Sequence, residues 1–391
     1  MNKSTHVQPL QKDILSFIDR LHKAGCAPRS IQRYAQYYAQ DKGVNISVDV
    51  TPTKVITVFQ EPIQQVILQD KNPPSVNLRQ LVGTLNAMLT KQPYIASESY
   101  SGWMLCLANI LLPPCYLILV GSTYVGVAIA AFLGLIAWLV QISFTGKRVV
   151  LIEFLVALIA SFMVGLLASV IPNLPILALC ISSIVLFIPG LTVTNALASL
   201  ALNDFSSGIE LLAQSALIVI KIFIGVVLGL SLSSQFSEYT LAISFINEIP
   251  LSLHILGLIG ISIAIGIVFN ASMTDILIGL PAAAIGMWGP HWFTTDWVVG
   301  TWISTMIITL YGLLAGRIRN IPALIYIIQG IIILVPGSRI IVGASETFYS
   351  TAILPIPNIG MSALLMFCSI VAGQIMVYSI FSERVFTGIG D

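Results

Sequence analysis

The chain has 391 residues, of which 57% are hydrophobic and only 9% are charged, and its net charge is +1. A soluble domain carries about 25% charged residues, so this composition excludes a soluble globular protein for most of the chain. The balanced charge gives no reason to expect nucleic-acid binding. Eleven of the eighteen Lys and Arg residues precede Tyr100. The sequence therefore predicts a polar N-terminal domain, residues 1–100, followed by a membrane domain.

The first hundred residues predict a small α+β domain. Residues 10–24 and 29–41 have helical patterns, and residues 44–70 read as three short strands interrupted at Pro52 and Pro62. Asn77 is the expected N-cap of a further helix with one apolar face. The sequence has no phosphate loop, nucleophile–base pair or metal-ligand spacing. We therefore predict neither an enzyme nor an ATP-driven motor, no cofactor, and an ion gradient as the energy source.

Ten apolar segments follow, each close to the length of about 20 residues that crosses a bilayer. They are 103–121, 123–143, 149–171, 174–190, 208–232, 250–270, 272–288, 297–315, 321–337 and 359–381. The N-terminus lacks an apolar signal core, so we expect no cleaved secretory peptide.

The loop cations predict the orientation of these segments. If the N-terminal domain is cytoplasmic, Lys147, Arg148, Arg317, Arg319 and Arg384 all lie on the cytoplasmic side. Among the loop cations only Arg339 then lies outside. We therefore expect a multi-pass protein of the cell (inner) membrane with both termini in the cytoplasm.

The membrane domain shows an internal repeat. Pro189-Gly190 and Pro336-Gly337 are 147 residues apart, and the same offset relates Gly165 to Gly312. It also maps five consecutive apolar segments onto the next five. Because each copy has an odd number of spans, the second copy enters the membrane from the opposite side, as in many secondary transporters. The sequence thus predicts an α-helical polytopic protein with about ten spans in a 5+5 inverted repeat, residues 101–240 and 241–391.

The two Pro-Gly motifs lie inside apolar segments, where they predict broken helices. Proline removes a backbone donor and glycine permits an unwound backbone, and free backbone groups are costly in lipid unless protein, water or ligand satisfies them. A half-helix starting near Leu191 would direct amides at an anionic group. A proline kink that only shapes packing is the alternative. The predicted substrate-binding residues are Pro189, Gly190, Thr192, Thr194, Asn195, Pro336, Gly337, Ser338 and Arg339.

Charged residues inside the membrane domain are few. Lys221 lies near the middle of a predicted span, where a lysine usually faces an acid or a water-filled path. A fixed ion pair and a moving counter-charge both fit this position. The predicted proton-coupling residues are Glu153, Asp204, Lys221 and Asp275. His254 and His291 are far apart in sequence, so no metal site is predicted, and the five scattered cysteines read as apolar fillers.

Three stretches resemble the threonine/serine exporter family: "AGCAPRSIQRYAQYYAQDKGVNISVDVTPTKVITVF", "NPPSVNLRQLVGTLNAML" and "PGLTVTNALASLALNDFSSG". The resemblance implies a cytoplasmic domain joined to about ten spans in two five-helix parts. It also implies export of small hydroxy amino acids linked to the proton motive force. Ala198 and Ser199 stand where members often carry an Arg-Asp pair, a departure that bears on the substrate. The residues that match the family's Pro-Gly, Thr-Asn and following acid are Pro189, Gly190, Thr194, Asn195 and Asp204.

We therefore predict a secondary transporter that exports threonine or serine and has a small solute, protons and the lipid bilayer as its partners. A dicarboxylate (succinate-type) exporter is one alternative, which would need a second cationic contact such as Lys221 beside Arg339. A membrane sensor or scaffold that transports nothing is another. The sequence leaves open whether the protein is a homo-oligomer.

Overall fold

The computed structural model describes residues 4–60, 64–73, 75–96, 98–144, 150–236, 250–319, 321–337 and 359–381. Six residues named above lie outside these ranges: Pro62, the predicted site residues Ser338 and Arg339, and the loop cations Lys147, Arg148 and Arg384.

The N-terminal domain has the predicted α+β architecture. Its elements are α1 (Ser4–Lys23), α2 (Pro28–Asp41), β1 (Ile46–Val50), β2 (Lys54–Phe59), β3 (Gln65–Asp70) and α3 (Leu78–Thr90). The strands form an antiparallel sheet in the order β1-β2-β3, with Ile46 opposite Phe59 and Lys54 opposite Asp70. Alternate strand residues are buried, as expected for a sheet covered on one face. The domain core joins these strand residues to the apolar faces of all three helices.

The rest of the described chain is helical. Its helices are α4 (Gly102–Val120), α5 (Tyr124–Ser143), α6 (Ile152–Val170), α7 (Ile176–Ile184), α8 (Gly190–Ala201), α9 (Phe205–Ser233), α10 (Leu251–Val268), α11 (Met273–Phe293), α12 (Trp297–Arg319), α13 (Leu324–Leu334) and α14 (Ile359–Ile380). Within the described ranges, eight of these helices are long and apolar enough to cross a membrane, and α7 with α8 would make a bent ninth. The predicted multi-pass helical domain is confirmed, whereas a count of ten spans is not reached by the residues described.

The N-terminal domain is joined to the membrane domain by hydrogen bonds between two helix ends. The amides of Leu78 and Arg79, in the first turn of α3, donate to the carbonyls of Phe269 (2.9 Å) and Asn270 (3.1 Å) at the end of α10. Helix starts have free amides and helix ends have free carbonyls. Each helix therefore satisfies groups that the other leaves unpaired, which fixes the domain against the α10–α11 turn.

Three further contacts identify the end of the helical bundle that meets the N-terminal domain. The hydroxyl of Tyr100, just before α4, donates to the carbonyl of Ala271 (2.8 Å). The hydroxyl of Ser207 in α9 donates to the carbonyl of Val50 (3.2 Å), and Leu324 packs on the domain core. We call this the domain end. We call the opposite end, where α10 begins and α11 terminates, the far end.

His22 makes the stability of the N-terminal domain depend on pH. Its side chain is 2% exposed, and its Nε2 lies 3.1 Å from the carbonyl oxygen of Pro52. Burial lowers the pKa of His22 below its ordinary value of 6.5, because burial disfavours the charged imidazolium. The unfolded chain then binds a proton that the folded domain does not, so stability is lost as pH falls through the ordinary pKa.

We expect the melting temperature of the purified full-length protein to fall between about pH 7.5 and about pH 5.5. The fall should be smaller in the variant His22→Gln. Thermal unfolding followed at both pH values checks this expectation, and equal decreases in the two proteins would contradict it.

Candidate functional site

The first Pro-Gly motif separates two helices. After α7 the chain makes one 3₁₀ turn, Val185–Phe187, and α8 begins at Gly190. Ile188 between them is extended, with φ −66° and ψ 121°, as expected for a residue that precedes proline. The axes on either side of this break differ by 57°.

The second motif repeats this local geometry. Helix α13 terminates at Leu334, and Val335 is extended with φ −63° and ψ 125°. These dihedral angles are nearly those of Ile188, the residue that precedes the first proline. Gly337 is again helical. Both motifs thus break the helix at the same position relative to the proline.

The two breaks touch one another in a reciprocal way. A Cβ atom added to Gly190 would lie 2.5 Å from Cγ1 of Val335, and one added to Gly337 would lie 2.7 Å from Cγ2 of Ile188. Real Cβ atoms essentially never approach closer than 3.0 Å. Each glycine therefore leaves the space that the other motif's branched side chain fills. We call Ile188–Gly190 together with Val335–Gly337 the break junction.

A cavity of about 600 Å³ lies against the break junction. Its volume is typical of a small-molecule site. The described lining is mostly apolar and contains no Lys, Arg, Asp or Glu; its titratable side chains are Tyr116, His254 and His291. The lining comes mainly from α4, α10, α11, α13 and the two breaks, with Leu191 of α8, Trp297 of α12 and Met366 of α14. His254, His291 and Trp297 line it at the far end, where His291 is exposed.

The predicted substrate-binding residues fall into three groups. Gly190, Pro336 and Gly337 line the cavity, and Pro189 lies between two lining residues. Thr194 is buried, with its hydroxyl donating to the carbonyl of Gly190 (3.0 Å). Thr192 is half-buried and Asn195 is exposed, and neither is among the described lining residues. Ser338 and Arg339 belong to the part of the chain that is not described.

The start of α8 presents backbone amides at the break junction. The amide of Gly190 donates to the carbonyl of Ile188 (2.8 Å), and no side chain caps this helix. The first-turn amides of a helix have no partner within the helix. Since Gly190 and Leu191 both line the cavity, the positive end of this helix dipole lies beside it.

Of the predicted coupling residues, Glu153 and Lys221 form an ion pair. The Nζ of Lys221 lies 3.1 Å from Oε2 of Glu153 and also donates to the carbonyl of Val150 (3.2 Å). The structure thus gives Lys221 a fixed acidic partner in Glu153. Asp204 instead caps α9, where its Oδ1 accepts from the amide of Ser207 (3.2 Å). None of these three predicted residues is among the described residues that line the cavity.

Asp275 lies in a buried polar cluster at the domain end. The residue is 7% exposed, and its carboxylate accepts from the hydroxyls of Ser272 (2.5 Å) and Tyr326 (3.0 Å). The guanidinium of Arg319 lies 3.9 Å away, and the side-chain amide of Gln329 donates to the Asp275 carbonyl (3.1 Å). The cluster links α11, α12 and α13 within a few residues of the α10–α11 turn that holds the N-terminal domain.

The Glu153–Lys221 pair predicts a contrast between single and double variants. Glu153→Gln leaves the ammonium without its counter-charge, so we expect it to lower the free energy of unfolding by about 1–3 kcal/mol. The double variant Glu153→Gln with Lys221→Met removes both charges and is expected to recover most of this loss. Denaturant titration in detergent measures the difference, and a double variant that is less stable than both single variants would contradict this account.

The comparison with protein families decides the family. The family model described as "Putative threonine/serine exporter" matches residues 19–233, which is more than half of the chain. The chain belongs to the threonine/serine exporter family. Family membership together with the apolar helices makes it a multi-pass membrane transport protein of the threonine/serine type, which acts on a small solute in a lipid bilayer. No curated protein sequence and no solved structure matches it.

The matched region of this exporter-family protein runs from Asp19, within α1, to Ser233, the last residue of α9. It therefore includes most of the N-terminal domain, the first break and α8, and it stops before the second break. The resemblance seen in the three quoted stretches, which all lie between residues 24 and 208, is confirmed.

The structure brings together two residues that the sequence analysis set aside. His254 at the start of α10 and His291 near the end of α11 line the same cavity. Their separation in sequence argued against a shared site. One feature of the sequence could have indicated a shared site: both histidines lie at the same end of two consecutive predicted spans. Consecutive spans that pack side by side bring such residues close together.

Proposed function

We propose that the protein is a secondary exporter of threonine or serine, driven by the proton motive force, in the inner cell membrane with both termini cytoplasmic. The break junction is the substrate site. The observation that supports this most strongly is the meeting of two Pro-Gly breaks, from distant parts of the chain, on one cavity of small-molecule size. Broken helices that line a cavity near a repeat interface are typical of substrate sites in secondary transporters.

The proposal includes a 5+5 inverted repeat, which three observations support. The 147-residue offset relates α4 to α10, α5 to α11, α6 to α12, α7 to α13 and α9 to α14. Corresponding pairs also pack together: α6 on α9 and α12 on α14, α5 on α7 and α11 on α13. Finally, α4 begins at the domain end whereas its counterpart α10 terminates there, as an inverted second copy requires.

The substrate carboxylate is proposed to bind at the start of α8. No side chain caps this helix start, Gly190 and Leu191 line the cavity, and a helix N-terminus favours an anionic group. One carboxylate is enough for threonine or serine. A dicarboxylate needs a second cationic contact, but Lys221 is paired with Glu153 and the described lining holds no Lys or Arg. In its observed pairing with Glu153, Lys221 is not the second cationic contact that a dicarboxylate would need.

Access to the site is proposed to alternate as the two repeats rock against each other. The reciprocal contact of Gly190 with Val335 and of Gly337 with Ile188 is a self-complementary surface of the kind that a two-fold axis produces. Such a contact can serve as the pivot between the two states.

Coupling is proposed to involve Asp275 rather than the other predicted residues. Asp204 is occupied as a helix cap and Glu153 is paired with Lys221. Asp275 is buried and bridges three helices: its carboxylate accepts from two hydroxyls, and the Arg319 guanidinium lies at the longer distance of 3.9 Å. Protonating it changes the hydrogen bonds of a cluster that joins the N-terminal domain junction to α13 and thus to the second break.

Counterflow in proteoliposomes tests the function. Vesicles loaded with unlabelled threonine are expected to take up labelled threonine and serine, and an imposed pH gradient is expected to drive net accumulation. Protein-free vesicles are the control. Exchange of succinate without threonine would replace the proposal with the dicarboxylate exporter, and the absence of any exchange would favour a sensor or scaffold.

A further inference from the structure

The N-terminal domain is docked on the α10–α11 turn by side chains as well as by the two backbone hydrogen bonds described above. The side-chain amide of Asn270 donates to Oδ1 of Asn77 (3.1 Å), the same oxygen that caps α3. The guanidinium of Arg79 donates to the carbonyl of Ala271 (3.3 Å). Asn270 has a left-handed backbone with φ 53°, so the turn is sharp at this point. The domain is therefore attached at one defined place.

Leu78 makes the apolar part of this contact. It is 3% exposed and belongs to a cluster whose other buried members all come from the membrane domain. Three residues that pack against this cluster, Leu191, Phe269 and Ile332, also line the cavity. The cluster thus forms an apolar layer between the cavity and the N-terminal domain, and Leu78 is the part of this layer that the domain supplies.

The docked domain contacts both of the proposed repeats. The carbonyl of Val50 accepts from Ser207 at the start of α9, in the first repeat (3.2 Å), whereas Leu78 and Arg79 bond to the end of α10, in the second repeat. A motion that parts α9 from α10 at this end must stretch one of these sets of bonds beyond hydrogen-bond length. The repeats therefore cannot move apart there while the domain stays fully docked.

The connection between the domain and the helical bundle is long enough to allow release. Residues 91–101 join α3 to α4, and an extended chain of this length reaches roughly 36 Å. The domain has a buried core of its own, so it can leave the α10–α11 turn without unfolding. Its docking hydrogen bonds can exchange for bonds to water, which keeps the net contribution of each bond small.

We propose that the docked N-terminal domain is the gate of the domain end. Leu78 closes the cavity on that side, and the domain must leave the α10–α11 turn before the substrate site opens to the cytoplasm. This inference rests on the proposed exporter function and adds the element that controls access from one side. The docked arrangement is the state that is closed at the domain end.

A reversible cross-link in the full-length protein tests the gate. Asn77→Cys with Asn270→Cys places two thiols where the native side chains meet, and a short bifunctional reagent that a reductant cleaves joins them. We expect the cross-link to lower threonine counterflow in proteoliposomes about tenfold or more, as for a carrier held in one of two states. Reductant should restore it. The untreated double variant is the reference, since it also lacks the Asn77 cap.

The matched control is a cross-link within the N-terminal domain. Ser47 and Val58 lie opposite each other on β1 and β2, so the same reagent joins Ser47→Cys to Val58→Cys without involving the membrane domain. This cross-link should leave counterflow within about twofold of the untreated control. Wild type treated alike shows any effect of the native cysteines, of which Cys106 and Cys368 are not buried.

Labelling of the cavity wall tests the same gate without a transport measurement. Leu191→Cys is treated with a membrane-impermeant maleimide in proteoliposomes whose N-terminal domains face outward, and protein without this cysteine gives the background. Adding Asn270→Gly removes the bond to Asn77 and suits the positive φ, so docking is loosened while Leu78 remains in place. We expect Asn270→Gly to speed labelling about threefold and Leu78→Ala to speed it about tenfold.

Two results overturn the gate while the exporter function stands: counterflow that persists in the cross-linked protein, and labelling that neither variant changes. Faster labelling in Leu78→Ala alone also overturns it, because truncation would then open the path without release of the domain. If Leu78→Ala does not fold, Asn270→Gly carries this measurement. Absence of counterflow in untreated wild type removes the exporter function, and the labelling still decides whether the docked domain closes this end.

Discussion

Gly190→Ala is expected to abolish most threonine counterflow while the protein still folds. The added Cβ would lie 2.5 Å from Cγ1 of Val335, so one of the two breaks must move. Overpacking of this kind costs about 1–3 kcal/mol. If only one of the two access states carries this energetic cost, the ratio of their populations changes by about 5- to 150-fold. Counterflow in proteoliposomes and thermal unfolding in detergent measure the two effects separately.

Val335→Ala supplies the decisive second variant. It removes the Cγ1 atom that the new Cβ would overlap, so the double variant Gly190→Ala with Val335→Ala is expected to recover much of the lost counterflow. Gly102→Ala is the matched control, since a Cβ at that helix start meets nothing within 4 Å. If Gly190→Ala exchanges threonine as fast as Gly102→Ala, the close contact between the two breaks is not part of the transport cycle.

The same reasoning applies to the second break. Gly337→Ala places a Cβ 2.7 Å from Cγ2 of Ile188, and Ile188→Ala removes that atom. If the two breaks are related by the proposed two-fold axis, Gly337→Ala should lose threonine counterflow and the added Ile188→Ala should restore much of it. Both changes should be about as large as those expected for Gly190→Ala and Val335→Ala.

Asp275→Asn is expected to preserve threonine counterflow at equal pH while it impairs accumulation driven by a pH gradient. The amide keeps the size of the carboxylate and can still accept from Ser272 or Tyr326, so the fold should persist. The variant cannot exchange a proton, so we expect counterflow at equal pH to remain within about twofold of wild type. Accumulation driven by a pH gradient should fall about tenfold or more, as expected for loss of a required proton acceptor.

Two companion variants make the Asp275 result specific. Asp204→Asn removes an acid that caps a helix and leaves a residue that also caps well, so it should retain gradient-driven accumulation. Asp275→Ala leaves the hydroxyls of Ser272 and Tyr326 without their shared acceptor, and it should lower the free energy of unfolding by about 1–3 kcal/mol for each group. Normal accumulation by Asp275→Asn would move the coupling role to the Glu153–Lys221 pair.

Much of the fold follows from local features of the sequence. The alternation of apolar residues predicts the strands of the N-terminal domain, and Asn77 caps α3 as expected, accepting from the amide of Gln80 at 3.0 Å. The apolar segments predict most of the membrane helices to within a few residues. The segment 174–190 differs from its prediction as a single span. In the structure it forms a short α-helix and a 3₁₀ turn, and a second helix follows the proline. Proline set the position of the break, but not its angle.

The site was predicted less completely. The Pro-Gly motifs indicated both breaks, since the conformation before a proline is a local property. The neighbouring polar residues were expected to face the substrate, yet among the described residues Thr194 bonds back to Gly190 and Asn195 is exposed. The sequence of a helix does not specify which of the surrounding helices a given side chain will face. His254 and His291 were therefore not recognised as parts of one cavity.

The sequence by itself determined the membrane class, the N-terminal domain, the broken helices and the family, because these depend on composition, periodicity and backbone chemistry within short stretches. Only the tertiary structure decided that Gly190 packs on Val335, that Lys221 pairs with Glu153 and that two histidines share a cavity. Each of these contacts joins residues that are tens to more than a hundred positions apart. Such contacts depend on how the helices pack, which no local pattern specifies.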